Sequence, residues 1–556
     1  MVCTRVSFPG VARFRFHSRS SGARPYRSGP SPVRAWSRFW PSPAPWRAAI
    51  LTGYAIVGAL LTDLICGPLI GAYSGAHFWP LLPCFALITT AVALAAAAIQ
   101  GLVGPLGSLL VVVLFIVLGL PSDGAGGPAL LPTYWQYIGA VLPPRSAVNL
   151  IRNVLYFSGN NITTPLIVLF VWLLAGMAVI GYLGRIRPAQ RAAAAKRSAE
   201  GTGAPAPRSL SAAAAPKSPR SKALSRAVLA ALVIVAFMEC LIAFNYTDSG
   251  HEPIATNMPF GVTGSSPILT QVEKTYSLQV THYPNASAVK TAIGQAKLFG
   301  ALEPGSPAST LIVVPTASDL APLDLAVQFE NAAKSLKMQL KVQNYAPVPL
   351  PTKDPFGIVP ALMLIPLLIG GYICSTNLLA ATGKPERWRG FVLVGFAIVA
   401  ALVVDLIVCL WLQGYATDTF WIVWPIAALI ILVTALVAAV LQKLIGAIGT
   451  LLTVILVMLF GNPSNGGATG VPYLPTFWRD IGPFLPPRNA YILLHNTIYF
   501  HGNGITQALV ALLLYAGIAG IILGLLEWVP TPTPPSPVTP ETEAEATAMV
   551  VPIGPP

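Results

Sequence analysis

Two acidic residues lie inside apolar runs long enough to cross a bilayer. Asp63 lies near the end of PWRAAILTGYAIVGALLTDLI, which starts at Pro45, and Asp405 near the end of RWRGFVLVGFAIVAALVVDLI, which starts at Arg387. The two stretches align, pairing Trp46 with Trp388 and Asp63 with Asp405. A carboxylate in hydrocarbon is costly, so each is a functional candidate by default. Facing a shared interior or a polar cavity, the pair could take up protons or contact a cationic substrate. A structural hydrogen bond, or a place near the outer interface, is the competing reading. Glu239, in VAFMECLIAF, is a third intramembrane acid with no counterpart in the first stretch.

A second constellation is a motif written twice. LPTYWQYIGAVLPPRSAVNLIRNVLYFSGNN from Leu131 returns as LPTFWRDIGPFLPPRNAYILLHNTIYFHGNG from Leu474. Its aromatic residues, Tyr134, Trp135, Tyr137, Phe477 and Trp478, suit the headgroup belt, where a ring meets both water and lipid. In LPPR, Pro143 and Pro144, and again Pro486 and Pro487, interrupt any helix arriving from upstream. The apolar, helically spaced segment that follows predicts a short interfacial or re-entrant helix. Surface loops with anchoring aromatics are the plainer alternative. Arg145 and Arg488 could hold lipid headgroups or acidic substrates, or simply anchor the interface. Arg152 becomes His495 in the second copy, so a cation there is not common to both.

A third cluster is basic. The loop GKPERWR carries Lys384, Arg387, Trp388 and Arg389, a candidate contact for a separate ATPase, weighed against plain positive-inside anchoring. ATGKPERW lacks the earlier glycine and preceding strand of a phosphate loop, so this chain is not expected to hydrolyse ATP by that route.

The elements that must carry these residues follow from composition. Of 556 residues, 54% are hydrophobic and 10% charged, against about 25% charged in soluble domains. Mean hydropathy is +0.67. The medium for most of the chain is therefore lipid. The net charge of +14 sits beside apolar runs, a topology signal, and nucleic acid is not an expected partner. The six cysteines show neither metal-ligand spacing nor a disulfide framework. Ten spans are expected, near 49–71, 77–99, 101–120, 164–184, 226–246, 356–380, 391–413, 420–441, 443–461 and 505–526. Ten spans place the Arg-rich arm 1–44, the basic linker 185–225 and the loop at Lys384 on one face, the cytoplasmic one. Both termini then lie in the cytoplasm of a cell-membrane protein, and both copies of the motif lie outside.

The first four expected helices match the last four in order and orientation. Gln100, Gly104, Gly107, Gly119 and Pro121 pair with Gln442, Gly446, Gly449, Gly461 and Pro463. The expected fold is thus an α-helical polytopic membrane protein in two parallel repeats of four and six helices, about an axis along the membrane normal. Residues 45–184 form the first repeat, and 356–527 hold five helices including the second. Between them, after the helix 226–246, residues 247–355 form the one extracytoplasmic α/β domain. There YSLQVTHY, a helix capped by Asn285, two short strands, a second helix and LKVQNYAPV give the order βαββαβ, a ferredoxin-like arrangement. Val289, Ile293 and Ala296, then Leu325, Phe329, Ala332 and Leu336, are its expected inward residues. No nucleophile–base arrangement is visible, so a spacer or substrate-handling domain fits better than an enzyme, and no cofactor is implied. Residues 1–44 read as a disordered arm, or stand where a first helix and outer domain would otherwise lie. The tail 528–556 reads as disordered and rich in Pro, Thr and Glu.

The order helix, large outer domain and five helices over 226–527, with YAPVPLPTKDPFG entering the second helix and LPTFWRDIGPFLPPRNA before the last, resembles the YhgE/Pip-type (phage-infection-protein-like) proteins of the ABC type-2 permease group. The resemblance covers slightly over half of the chain, and the first repeat by internal similarity. It implies a permease-like or export role, with an ATPase on another chain. A membrane scaffold or receptor using its outer domain, and proton-driven efflux, are the other readings.

Overall fold

Apolar runs unbroken by charge become helices because lipid leaves backbone groups no partner but one another. The computed structural model describes residues 44–104, 106–125, 127–201, 219–380, 386–467 and 469–528. Residues 1–43, residues 202–218 of the basic linker, Lys384 and the tail after Trp528 lie outside the described residues. In chain order the first helices are α1 (Ala44–Leu64), α2 (Phe78–Val103), α3 (Leu106–Val112), α4 (Thr133–Val141), α5 (Pro143–Tyr156), α6 (Thr163–Gly201) and α7 (Pro219–Asp248). Among the described residues, eight helices are long and apolar enough to cross a membrane: Ala48–Leu69, Gly75–Val103, Thr163–Arg185, Val359–Leu378, Trp388–Trp411, Thr417–Ile445, Ile448–Asn465 and Thr506–Leu526. The segment expected at 101–120 is a shorter apolar helix, Leu106–Val117, because Gly104 turns the chain at positive φ. The segment expected at 226–246 lies within α7. Side chains such as Phe391, Val399, Leu514 and Ile521 remain exposed along these helices, a surface that only an apolar medium satisfies.

The chain divides into two compact units, one of residues up to Leu60 with Pro80–Val235, the other of Leu61–Trp79 with the residues from Ala236 onward. In the first, Ala91 of α2, Leu150 of α5 and Leu169 of α6 form a small core. Thr89 of α2 donates to the Ala55 carbonyl of α1 at 3.1 Å, and Trp172 of α6 to the Val141 carbonyl at 2.8 Å.

The second unit holds the sheet domain: β1 (Met258–Val262), α8 (Pro267–Val272), β2 (Leu278–His282), α9 (Ala286–Gly294), β3 (Gly300–Glu303), β4 (Ala308–Val313), α10 (Ala321–Ser335) and β5 (Gln339–Asn344). The strand order is β2-β1-β3-β4-β5. Pairs β1–β2, β1–β3 and β4–β5 are parallel, and only β3–β4 is antiparallel. This corrects the ferredoxin-like expectation. The four expected strands and two helices are present, but β1 enters between β2 and β3 and sets both neighbours parallel. Its sequence, MPFGV, carries a proline and a glycine, which mask a strand pattern. The helix faces follow their periodicity: Val289, Ile293, Leu325, Phe329 and Ala332 are buried, and Asn285 caps α9 by accepting from Ala288 N at 2.9 Å. Leu336, expected inward, is 38% exposed because α10 ends at Ser335.

After the sheet come α11 (Val359–Ala380), α12 (Glu386–Asp405), α13 (Phe420–Ile445), α14 (Ala447–Val454), α15 (Thr476–Ile481), α16 (Pro486–Tyr499) and α17 (Thr506–Trp528). The succession from α12 to α17 matches that from α1 to α6 in kind. A π-helical turn follows α1 (Ile65–Leu69) and another follows α12 (Leu406–Trp411). Short 3-10 turns at Gly75–His77 and Thr417–Thr419 precede the long helices α2 and α13. α5 and α16 each open on their proline pair, as prolines without N–H groups do at a helix start. The matched glycines carry the same contacts. A Cβ on Gly119 would meet Pro144 at 2.7 Å, and one on Gly461 would meet Pro487 at 2.4 Å.

Candidate functional site

The intramembrane aspartates sit at matched points, each just before a π-helical turn, a distortion frequent at functional sites. Past the turn, the chain reverses through Gly71 in one copy and Gln413 in the other, both at positive φ. The reversal returns a tyrosine towards its aspartate: Tyr73 to Asp63, and Tyr415 at the equivalent place after Asp405.

The two outcomes differ. In the first copy the Tyr73 hydroxyl donates to Asp63 Oδ1, and also to the Asp63 carbonyl at 3.2 Å. Oδ2 of Asp63 is buried without a partner. Nearby, Cys66 Sγ lies 3.3 Å from Thr247 Oγ1 of α7. In the second copy Asp405 is 0% exposed and Tyr415 4%, yet neither carboxylate oxygen nor the tyrosine hydroxyl has a hydrogen-bond partner. Tyr415 also lines a cavity of about 290 Å³ with Gln413, Lys353, Thr352 and Tyr499. The structural-hydrogen-bond reading thus describes Asp63, whereas Asp405 is left open. Glu239 is half-buried on α7, away from this matched pattern. The tyrosines were missed in the sequence, although each recurs at the same distance beyond its aspartate.

The repeated proline motif meets two fates as well. In the second copy it is covered by the sheet domain. Val289, Ile293, Leu298 and Ile312 share one continuous core with Leu364, Ile430, Leu493 and Leu494 of the helices. Polar bonds edge this seam. Tyr499 donates to Asp354, and Tyr276 and Tyr473 both donate to Asp324, the latter at 2.9 Å. Burial pushes all three hydroxyls above the usual tyrosine range, and the carboxylates they face add to it. Trp478, expected in the headgroup belt, is instead fully buried. It packs on Phe460 and Phe477 and donates to Asp248 Oδ2 at 2.7 Å. The first copy keeps its aromatics outward: Tyr156 is 74% exposed where Tyr499 is 0%, and Tyr134 and Tyr137 are exposed as expected. Trp135 is half-buried, Pro143, Pro486 and Pro487 are buried, and Pro144 is half-buried.

The LPPR arginines have a structural task. Arg145 Nη1 donates to the Gln136 carbonyl and Arg488 Nη1 to the Arg479 carbonyl, both at 2.7 Å, fastening each motif helix to the one before it. In the basic loop, Trp388 is exposed and Arg389 half-buried. Lys384 and the Arg387 side chain lie outside the described residues.

His495 is buried on α16 between Tyr491, stacked 5.1 Å away, and Tyr499, with Nδ1 3.0 Å from Asn496 Oδ1. Burial lowers its affinity for a proton below the ordinary 6.5, outweighing the bond to Asn496. With the folded value depressed, the unfolded chain protonates first as pH falls, so stability is present above 6.5 and lost below it. We expect melting in detergent to shift down on acidification through that point. His495→Phe should flatten this dependence; an unchanged slope in the variant would show that other groups set it.

The protein is a helical polytopic membrane protein. Its sequence and structure match no family model, no curated protein and no solved structure.

Proposed function

We propose that this is a ten-span permease-like protein of the cell membrane, with cytoplasmic termini, that exports or translocates an amphipathic or lipid-like molecule. The observation that carries the reading is the duplication: the same succession of helices, π-helical turns and proline-led motif helices occurs twice, with a buried aspartate at the same point in each. Parallel internal repeats of this kind recur in membrane transporters. The resemblance to YhgE/Pip-type proteins of the ABC type-2 permease group supports the same reading. A separate ATP-binding subunit would then engage the basic loop at Lys384, and self-association is compatible with it. In this topology both proline motifs and the sheet domain lie outside.

Proton-driven efflux is the second reading, favoured by the unpartnered carboxylate of Asp405. A scaffold or receptor built on the sheet domain is the third. An efflux assay with a lipophilic fluorescent dye, on deletion and complemented cells with and without protonophore, separates them. Asp63→Asn with Asp405→Asn abolishes efflux in the proton-driven case and leaves it intact in the ATP-driven one. No difference between deleted and complemented cells for any amphipathic probe would refute transport.

A further inference from the structure

We propose that Asp405, and not Asp63, is an exchangeable proton-binding carboxyl, and that the residue two positions before each π-helical turn's end in the first copy and its equivalent in the second, Gly67 and Cys409, decide which aspartate is open. The stretches from Asp63 to Tyr73 and from Asp405 to Tyr415 align without a gap, which places Gly67 opposite Cys409. The Tyr73 ring crosses directly over Gly67. A Cβ built there would lie 2.8 Å from Tyr73 Cε2, closer than real contacts come, and 3.3 Å from Cζ. The tyrosine therefore reaches its aspartate only because position 67 carries no side chain. In the second copy the equivalent place holds Cys409, fully buried. Its Sγ donates to the Tyr415 backbone carbonyl at 3.8 Å, and the Tyr415 hydroxyl makes no bond to Asp405.

The result is a carboxyl group in an apolar span with no donor for either oxygen. An anion without donors in such surroundings is met by a cation or a proton. The donor set favours the proton. One carboxyl and one phenol are too few to hold a metal ion, which needs four to eight ligands, and no group of three or more metal-ligating side chains occurs among the described residues. The ionisable groups on the elements packed around α12 are Tyr372 and Cys374 on α11, Lys443 on α13, Asp418 in the turn before α13, and Cys409 and Tyr415 beyond the helix end. None of them bonds to Asp405. Tyr415, ten residues beyond Asp405 as Tyr73 is beyond Asp63, lines a cavity with Lys353, Thr352 and Gln413.

The inference deepens the proton-driven reading, but its test is a chemical label that does not depend on transport. The full-length protein in liposomes is treated with dicyclohexylcarbodiimide, which adds the O–H of a protonated carboxyl across its C=N bond to give an O-acylisourea, and O-to-N acyl migration then leaves a stable N-acylurea for peptide mass spectrometry. Asp405 should be modified about tenfold more than Asp63, the ratio that one hydrogen bond represents, and less as pH rises. Tyr73→Phe and Gly67→Cys should each raise modification of Asp63, and Cys409→Gly should lower that of Asp405. Tyr73→Phe removes a single oxygen, so it remains informative where a glycine variant fails to fold. Equal labelling of the two aspartates in the wild type, or none at Asp405, overturns the site. Wild-type selectivity that Cys409→Gly and Tyr73→Phe leave untouched overturns the role given to the glycine and cysteine. Selective labelling with no dye efflux would keep the site and refute its use in transport.

Discussion

Trp478→Ala should destabilise the protein by about 3–5 kcal/mol, the range for emptying a buried aromatic site. The indole is fully buried against Phe460 and Phe477, and its Nε1–H is the donor to Asp248 Oδ2. Truncation leaves a cavity beside Phe460 and Phe477 and takes a partner from Asp248 at the end of α7. The matched change in the first copy, Trp135→Ala, should cost about 1–2 kcal/mol, because that ring is only half-buried and less area returns to solvent. Thermal melting of both variants in one detergent gives the comparison. Equal losses would mean that the proline motif of the first copy is as covered as that of the second.

Asp354→Ala should have the next largest effect, about 3 kcal/mol, from one lost cap and one orphaned buried hydroxyl. Asp354 is buried. It accepts from Ile358 N at 3.0 Å and Val359 N at 3.1 Å, satisfying the first donors of α11, and from the Tyr499 hydroxyl of α16. Asn keeps an acceptor oxygen, so Asp354→Asn should recover much of the loss. Amide exchange read at residues 358–362 would show where the loss falls. Protection there that is unchanged in the alanine variant would contradict the capping role.

Much of the helical architecture was legible because the physics is one-dimensional. A run without charges must satisfy its own backbone groups, and a proline pair must start a helix rather than continue one. The succession of elements in both halves follows from such local rules. Two things were not legible. A buried aromatic ring and an exposed one have the same kind of neighbours in sequence, and only the contacts with Phe460, Phe477 and Asp248 bury Trp478 while Tyr134 stays exposed. Strand β1 was hidden because Pro259 and Gly261 speak against a strand locally, while pairing on both sides decides the matter. The aspartate–tyrosine contact needs the chain to double back, so no periodicity reports it. The substitution of Cys409 for Gly67 gains meaning only once the ring is seen to cross that position.

The bond between Asp354 and Tyr499 has a mechanical consequence. It closes the connection between the sheet domain and α11 onto a different helix, so the junction behaves as a weld rather than a swivel. A force or ligand that tilts the sheet must therefore displace α11 and α16 together, which makes the domain a lever on the helices rather than a passenger above them.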